Sequence, residues 1–461
     1  MPCQPDPDIN VTNVTELIDS HRLSGAQIAI VVLCGLIAMF DGLDLQAIGL
    51  AAPAIAAALH IAPPALGPVF SAALAGLAVG AFGLGLAADR IGRKRVLIGS
   101  TVCFGVFTLC TAFASSMSEL LIIRFCTGLG LGGAMPSFIS LGAEYVPRRV
   151  RAAVVSGLWT GFPIGGVIGG LLASRLIPHW GWPSIFWVGG TLPLLLAAVL
   201  GLVLPESIGF LVSRNASPQR IARLLERVCP GSHPDPKARF VLGEEHAVGV
   251  PVGQLFSAGR ASGTLLLWAS FFIVFMMLVT NSAWSPTLLR ARGIEVAQSG
   301  IAMASFNFGS VIGTSLAGWL ISRLGVVSVL PLSCIGGALA IGSVGYAAHW
   351  VLLVTFLQGL FGLFLGCASS GLIVLAALFY LTAIRSTGVG WSMGMGRIGS
   401  FVGPLAVGAL VAEKWPIDSV FVAIGVPALV AALTTALVGL RYGRPQTGQP
   451  ADPLLSLSEA P

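Results

Sequence analysis

The stretch GLAADRIGRKRVLIGS, Gly85 to Ser100, sets one acid and four bases in a short polar break between two long apolar runs. Gly92 supplies the backbone freedom that a tight turn between helices needs. Arg93, Lys94 and Arg95 would hold that turn on the cytoplasmic side of a membrane. Asp89 can sit near a helix N-terminus or pair with an arginine across a gate. A loop that only set topology would need the bases but not the acid.

Outward from this break, apolar runs recur from residue 26 to residue 440. Twelve are expected to span: 26–50, 65–87, 96–116, 119–142, 150–174, 184–204, 264–288, 299–321, 326–347, 351–379, 387–411 and 418–440. Each is close to the roughly 20 residues that cross a bilayer as helix. The chain of 461 residues is 55% hydrophobic and only 10% charged, against about 25% charged in a soluble domain. Its mean hydropathy is +0.90. The expected class is an all-α membrane protein. The 59 glycines suit helices that pack closely in lipid.

The net charge of +6 does not point to nucleic acid, because its placement is topological. With the N-terminus in the cytoplasm, 19 of the 25 lysines and arginines fall in cytoplasmic segments. Arg175, Arg290, Arg292 and Lys414 fall outside, and Arg124 and Arg397 fall within spans. This bias puts both termini in the cytoplasm. No cleavable leader is expected, since the first apolar run begins late and is too long. The sequons at Asn10 and Asn13 lie on the cytoplasmic side and read as chance matches.

The one long polar stretch covers 205–262 and splits the spans six and six. Its PQRIARLLERV segment reads as a basic amphipathic helix lying on the inner membrane surface. The segments expected are therefore a tail (1–25), a six-helix bundle (26–204), the linker, a second bundle (263–441) and a tail (442–461). The halves are related by a repeat. Gly85–Asp89–Arg90–Gly92 recurs as Gly318–Ser322–Arg323–Gly325 at an offset of 233. Gly128 and Gly132 recur as Gly362 and Gly366, and Arg151 recurs as Arg385, at an offset of 234. Two like bundles imply a pseudo-twofold axis along the membrane normal and a substrate path between them.

MFDGLDLQ, residues 39–46, adds two acids to the first span. Asp41 and Asp44 stand three apart and so share a helix face. A charge at the bilayer centre costs at least about 2.5–3.5 kcal/mol, so such acids face a bundle interior or a water cavity. The bland alternative is an ion pair that only holds helices together. Burial and a neighbouring guanidinium shift a carboxyl in opposite directions, so a carboxyl whose surroundings alternate can load and release a proton.

The buried counter-charges are Arg124 and Arg397. Their repeat partners are Gln358 and Pro163, so the twofold scaffold requires neither arginine. A guanidinium fork suits a substrate carboxylate. Arg397 lies deeper and is assigned to the substrate; Arg124 either joins it or clamps Asp44. Glu144 is expected to pair with Arg148, Arg149 or Arg151. Trp159, Phe162, Asn281, Trp284, Asn307, Phe308 and Gln358 are the other mid-span groups. Membrane aromatics more often pack than bind, but Trp159 and Trp284 are the preferred stacking residues.

Cys3, Cys34, Cys103, Cys110, Cys126, Cys229, Cys334 and Cys367 form no CxxC pair and read as small hydrophobes. No metal and no cofactor is expected. The glycine-rich segments at 161–170 and 396–404 lack the GxxxxGK[ST] form of a phosphate loop and read as helix-packing surfaces.

Residues 85–95 fit the signature loop of the major facilitator superfamily, which the chain resembles over its whole length. The second copy has Ser322 in place of the acid, which argues against a symmetrical latch. FDGLDLQAIGLAAPAI, RFCTGLGLGGAMP and IRSTGVGWSMGMGRIGSFVGP are similar to the aromatic acid:proton symporter family, and include Arg124, Arg385 and Arg397. GLDLQA, IGRKRVLIGS and TLLLW resemble its hydroxyphenylpropionate branch. The resemblance implies a monomer in the bacterial inner membrane that imports an aromatic carboxylate with protons. Asp41 and Asp44 would carry the proton. Arg397, Arg124, Trp284, Asn281, Trp159 and Gln358 would bind substrate, and Gly85, Asp89, Arg90, Gly92, Arg93 and Lys94 would form the gate. An exporter of drugs or organic anions would instead move substrate against an inward proton gradient. A sensor would bind without flux and usually carries a soluble signalling domain. A membrane enzyme would need a nucleophile–base pair or a metal cluster in the spans, yet His21, His60, His179, His233, His246 and His349 lie outside them or at their ends.

Overall fold

The computed structural model describes residues 11–214, 216–232, 234–235, 238–242, 252–257, 259–347, 349–381 and 384–442. Cys3, Asn10, His233, Lys237 and His246 fall outside them. The N-terminal half holds α1 (Val14–Ser20), α2 (Gly25–Ala58), α3 (Leu66–Ile91), α4 (Arg93–Thr111), α5 (Met117–Glu144), α6 (Arg148–Trp180) and α7 (Pro183–Val203). The linker contributes α8 (Ile208–Ser213) and α9 (Pro218–Val228). The second half holds α10 (Ala261–Ala291), α11 (Val296–Leu324), α12 (Val326–Val344), α13 (Val351–Phe379), α14 (Arg385–Ala412) and α15 (Ile417–Tyr442). Among the described residues twelve helices, α2–α7 and α10–α15, are long and apolar enough to cross a membrane. Several outrun the apolar stretch that marks them: the first continues to Ala58 and the fifth to Trp180. A helix satisfies its backbone bonds internally, so it can run on past the hydrocarbon layer.

The repeat holds at the level of single contacts. α5 lies on α3 as α13 lies on α11. A methyl group added at Gly128 would collide with the Ala73 carbonyl, and one at Gly362 with the Phe306 carbonyl. Gly132 meets the Leu77 carbonyl and Gly366 the Ser310 carbonyl in the same way. Each contact in one half maps onto its counterpart at the same 233–234 offset. Backbone touches backbone because association in lipid rests on close van der Waals packing.

The two halves meet through α6 on α11, α2 on α10 and α3 on α14. These contacts sit at the end of the bundle opposite the linker. Gln46 accepts a hydrogen bond from Asn307 Nδ2 at 2.9 Å. Ser71 donates to the Phe401 carbonyl at 2.9 Å. Phe70 meets Trp284 edge-on at 5.6 Å. Gly49 lies so close to the Ser282 carbonyl that no side chain fits between them. The far face is therefore sealed, and the space between the halves opens toward the linker.

Gly49→Val should block this seal without touching packing inside either half. The protein should shift toward a state open at the far face, and modification of Ser71→Cys by a membrane-impermeant maleimide should rise by about tenfold, a shift of ~1.4 kcal/mol. Unchanged labelling at position 71, read by mass spectrometry, would show that Gly49 does not hold the seal.

The linker corrects two expectations. The amphipathic helix is present as α9, but its Ile221, Ala222, Leu225 and Val228 are buried in a cluster with Val14, Ile18, Ile30 and Cys34. Its apolar stripe lies on protein, not on the membrane surface. Ser24 Oγ donates to the Val228 carbonyl at 2.6 Å, which ties α9 to the start of α2. The segment before the first span is likewise not all tail. Val11–Asn13 forms a strand that pairs in parallel with Arg239–Val241 of the linker.

Candidate functional site

A cavity of about 460 Å³ lies between the halves, within the size range of small-molecule sites. Asp41 and Asp44 line it from α2, and Trp159 and Phe162 from α6. Facing them are Asn307, Ser310 and Thr314 of α11, Ser369 and Ser370 of α13, and Arg397 of α14. Val155 and Val389, near the linker-side starts of α6 and α14, and Val374, near the linker-side end of α13, also line it. These three mark its open end.

The two acids have different surroundings. Asp44 is 3% exposed and Arg124 is fully buried. Arg124 Nη1 stands 3.2 Å from Asp44 Oδ2. Thr108 Oγ1 donates to Asp44 Oδ1 at 2.8 Å, and Arg124 Nη2 donates to Thr111 Oγ1. The guanidinium also lies over the Phe186 ring at 5.4 Å. This is a buried charge pair whose polar atoms are mostly matched, the condition under which such a pair holds. Of the two roles open to Arg124, the geometry shows the clamp on Asp44.

Asp41 has no hydrogen-bonding partner among the described residues. Its electrostatic partner is Arg397. Arg397 reaches from the second half toward the first and places Nη2 2.8 Å from Met135 Sδ. It is half-buried, lines the cavity and has no carboxylate in ion-pair contact among the described residues. The cavity thus holds a carboxylate and a guanidinium that each keep bonding capacity for something else.

Three residues expected at the substrate lie behind the wall instead. Trp284 is fully buried, and its indole N–H donates to the Pro404 carbonyl at 2.9 Å. Asn281 and Gln358 are also fully buried and bond to each other at 3.1 Å. Gln358 is the repeat partner of Arg124. In the second half a neutral amide pair between α10 and α13 therefore closes the helix contact that Asp44–Arg124 closes in the first. Phe308 faces outward at 59% exposure. Trp159 alone of the preferred stacking residues lines the cavity.

The turn at Gly92 sits at φ +105°, which suits glycine. Lys94 N donates to Glu206 at 3.0 Å, and Arg214 Nη2 donates to the Arg90 carbonyl at 2.9 Å. Glu144 was expected to pair with Arg148, Arg149 or Arg151. It pairs instead with Arg93 at 3.3 Å and accepts from Ser207 Oγ at 2.7 Å and from Gly209 N. α4 packs on α5, which sets Arg93 at the first turn of one beside Glu144 at the last turn of the other. Tyr145 donates to the Glu206 carbonyl. Its burial, with Glu144 and Glu206 nearby, holds its hydroxyl well above the usual tyrosine range, so it stays a neutral donor. Asp89 is exposed in the last turn of α3, next to Arg90, and has no ion pair among the described residues. Gly85 lies on α3 one turn before it. In the second copy Ser322 bonds only the Trp319 carbonyl, and Arg323 lies over the Trp319 ring. The Arg93–Glu144 pair of the first turn has no counterpart in the second, where Val326 and Leu378 stand at those positions.

The profile of the Major Facilitator Superfamily matches residues 34–295 and 266–458. The chain is 37% identical to the 4-hydroxybenzoate transporter PcaK of Pseudomonas aeruginosa, over 94% of this chain and 97% of that one. It is 35% identical to the 3-(3-hydroxy-phenyl)propionate transporter of Escherichia coli, over 90% and 94%.

The chain belongs to the major facilitator superfamily, in its aromatic acid transporter family.

A solved inward-open structure of the xylose transporter XylE from E. coli has the same fold, with a TM-score of 0.71 at 17% identity, covering 94% of this chain and 99% of that one. Within this superfamily fold, sequence reasoning did not single out Met135 or the hydroxyls of α11 and α13. The usable signal was the repeat. Met135 aligns with Ser369 and Leu77 with Ser310, so the halves differ at these positions as they do at the arginines.

Proposed function

We infer that this multi-pass membrane protein imports an aromatic carboxylic acid together with protons across the bacterial inner membrane by alternating access. The observation that carries this reading is Asp41 and Arg397 set against each other across one cavity sealed at its far end. The relatives' hydroxybenzoate and hydroxyphenylpropionate substrates support the chemical class. With both termini in the cytoplasm, the open end faces inward. The bundles 26–204 and 263–441 rock about the site.

The substrate carboxylate binds Arg397 through the guanidinium fork. Its ring lies against Trp159 and Phe162. Asp41 carries the coupling proton, since it faces Arg397 and holds no other bond. Asp44 and Arg124 keep α2 and α5 in register. A substrate anion at Arg397 takes up the positive charge that otherwise shares the cavity with Asp41. One proton with one monovalent anion is electroneutral; each extra proton would add about 2.3 kcal/mol per 100 mV.

Purified protein in liposomes should accumulate labelled 4-hydroxybenzoate when an inward proton gradient is imposed, and lose it when the gradient is collapsed. Efflux against the inward gradient would instead identify an exporter.

A further inference from the structure

The wall opposite the acids carries four hydroxyl side chains that the fold does not require. Ser310 and Thr314 lie on α11, and Ser369 and Ser370 lie on the adjacent α13. Their repeat partners in the first half are Leu77, Ala81, Met135 and Pro136, none of which bears a hydroxyl. The same helix contact therefore forms without hydroxyl groups. Moreover, all four stand at about the level of Arg397. Thr314, Ser369, Ser370 and Arg397 lie 9 to 12 residues from the linker-side ends of their helices and Ser310 lies 14, roughly 14–21 Å along the axis at 1.5 Å per residue.

Their bonding is also distinctive among the cavity residues; Ser100, Thr280, Thr287 and Ser299 likewise lack a partner among the described residues, but none of these lines the cavity. Hydroxyls on membrane helices usually bond the carbonyl one turn back. Thr101, Thr127, Ser137, Ser270 and Ser392 all do so. Ser310 and Ser370 do not: neither hydroxyl bonds any described protein group, although both line the cavity. Ser310 is only 7% exposed. Thr314 and Ser369 share one acceptor, the Gly366 carbonyl, at 3.4 and 3.0 Å, and keep their lone pairs available. A buried polar group is matched by a partner. The hydroxyls of Ser310 and Ser370 open onto the cavity, so water or a ligand there supplies the partner.

The helices set the geometry of the cavity. α14, with Arg397, packs on α3 and α10, whereas α11 packs on α6 and α13. Ser310 and Thr314 thus stand on a helix that does not pack on α14, Ser369 and Ser370 stand on α13, which touches both α11 and α14, and Trp159 and Phe162 belong to α6 beside α11. A ligand reaching from Arg397 to these hydroxyls carries a carboxylate at one end, a flat apolar middle, and a hydrogen-bonding group at the other end.

We propose that Ser310 and Ser370, supported by Thr314 and Ser369, recognise a ring hydroxyl of the substrate and make the protein selective for hydroxylated over unsubstituted aromatic acids. This rests on the import reading above and refines its substrate class. Ser370 and Ser310 are specificity residues that touch the substrate end remote from Arg397. A site built to bond a hydroxyl rejects the analogue lacking it, because its own polar groups are then left unmatched.

The test compares initial uptake of benzoate, 3-hydroxybenzoate, 4-hydroxybenzoate and 3-(3-hydroxyphenyl)propionate in proteoliposomes. In Ser310→Ala/Ser370→Ala, KM for at least one hydroxylated acid should rise by about tenfold, with benzoate within about twofold of the parent protein and Vmax unchanged. Ser370→Thr, which keeps the hydroxyl, should retain the parent's preference. Equal loss for benzoate and the hydroxylated acids, in variants that remain monodisperse in detergent, would overturn the proposal. So would a double variant with unaltered KM values throughout. If the parent protein takes up benzoate but no hydroxylated acid, this inference fails and the import reading stands. If it takes up none of the four, both fail.

Discussion

Asp41→Asn should abolish accumulation driven by a pH gradient while leaving the protein as stable as its parent, and Asp44→Asn should do the reverse damage. Asp41 faces the cavity and Arg397 but holds no hydrogen bond among the described residues, so a neutral amide there breaks no packing contact. What is lost is the carboxyl proposed above as the carrier of the coupling proton. Exchange of labelled substrate for unlabelled substrate, with no gradient, should persist. Asp44 is different. Removing its charge leaves the fully buried Arg124 without a counter-ion, and breaking one partner of a buried pair costs about 3–5 kcal/mol. Thermal unfolding in detergent should show the loss. Because the second half closes the same helix contact with Asn281 and Gln358, the double variant Asp44→Asn/Arg124→Gln should regain much of that stability. A stable Asp44→Asn, or an unstable Asp41→Asn, would reverse the division of labour between the two acids.

Arg397→Ala should reduce uptake of every aromatic acid by a factor on the order of hundreds. Removing one member of a hydrogen-bonded charge pair costs about 2–5 kcal/mol, and each 1.4 kcal/mol is about tenfold. Arg397→Lys keeps the charge but loses the planar fork, so a smaller drop, about tenfold, is expected. Both losses should appear as weaker binding in tryptophan fluorescence titrations, because Trp159 shares the cavity. The discriminating control is a neutral analogue such as the substrate amide. It should bind the parent and Arg397→Ala proteins equally weakly. An acid that binds Arg397→Ala as well as it binds the parent would remove Arg397 from the site.

Twelve spans, two related halves and the signature turn are all legible in the sequence, for one reason. The bilayer demands about 20 apolar residues per helix with internally satisfied backbones, and this writes itself into composition. Repeat arithmetic also reaches some distance into the site, since it marks Arg124 and Arg397 as charges the scaffold does not call for. Sequence order alone did not reveal which side of a helix wall each polar group occupies. Asn281, Gln358 and Trp284 look like site residues in a linear reading, yet they bond to each other or to the Pro404 carbonyl behind the wall. Likewise Glu144 finds Arg93 because α4 packs on α5 and sets the start of one beside the end of the other. A few tens of degrees of helix rotation separate a residue that lines the cavity from one buried behind it. Only the packing of all twelve helices, glycine against carbonyl, decides that rotation. That packing gave Asp44 its buried partner, left Asp41 and Arg397 facing one cavity, and turned the hydroxyls of α11 and α13 toward them.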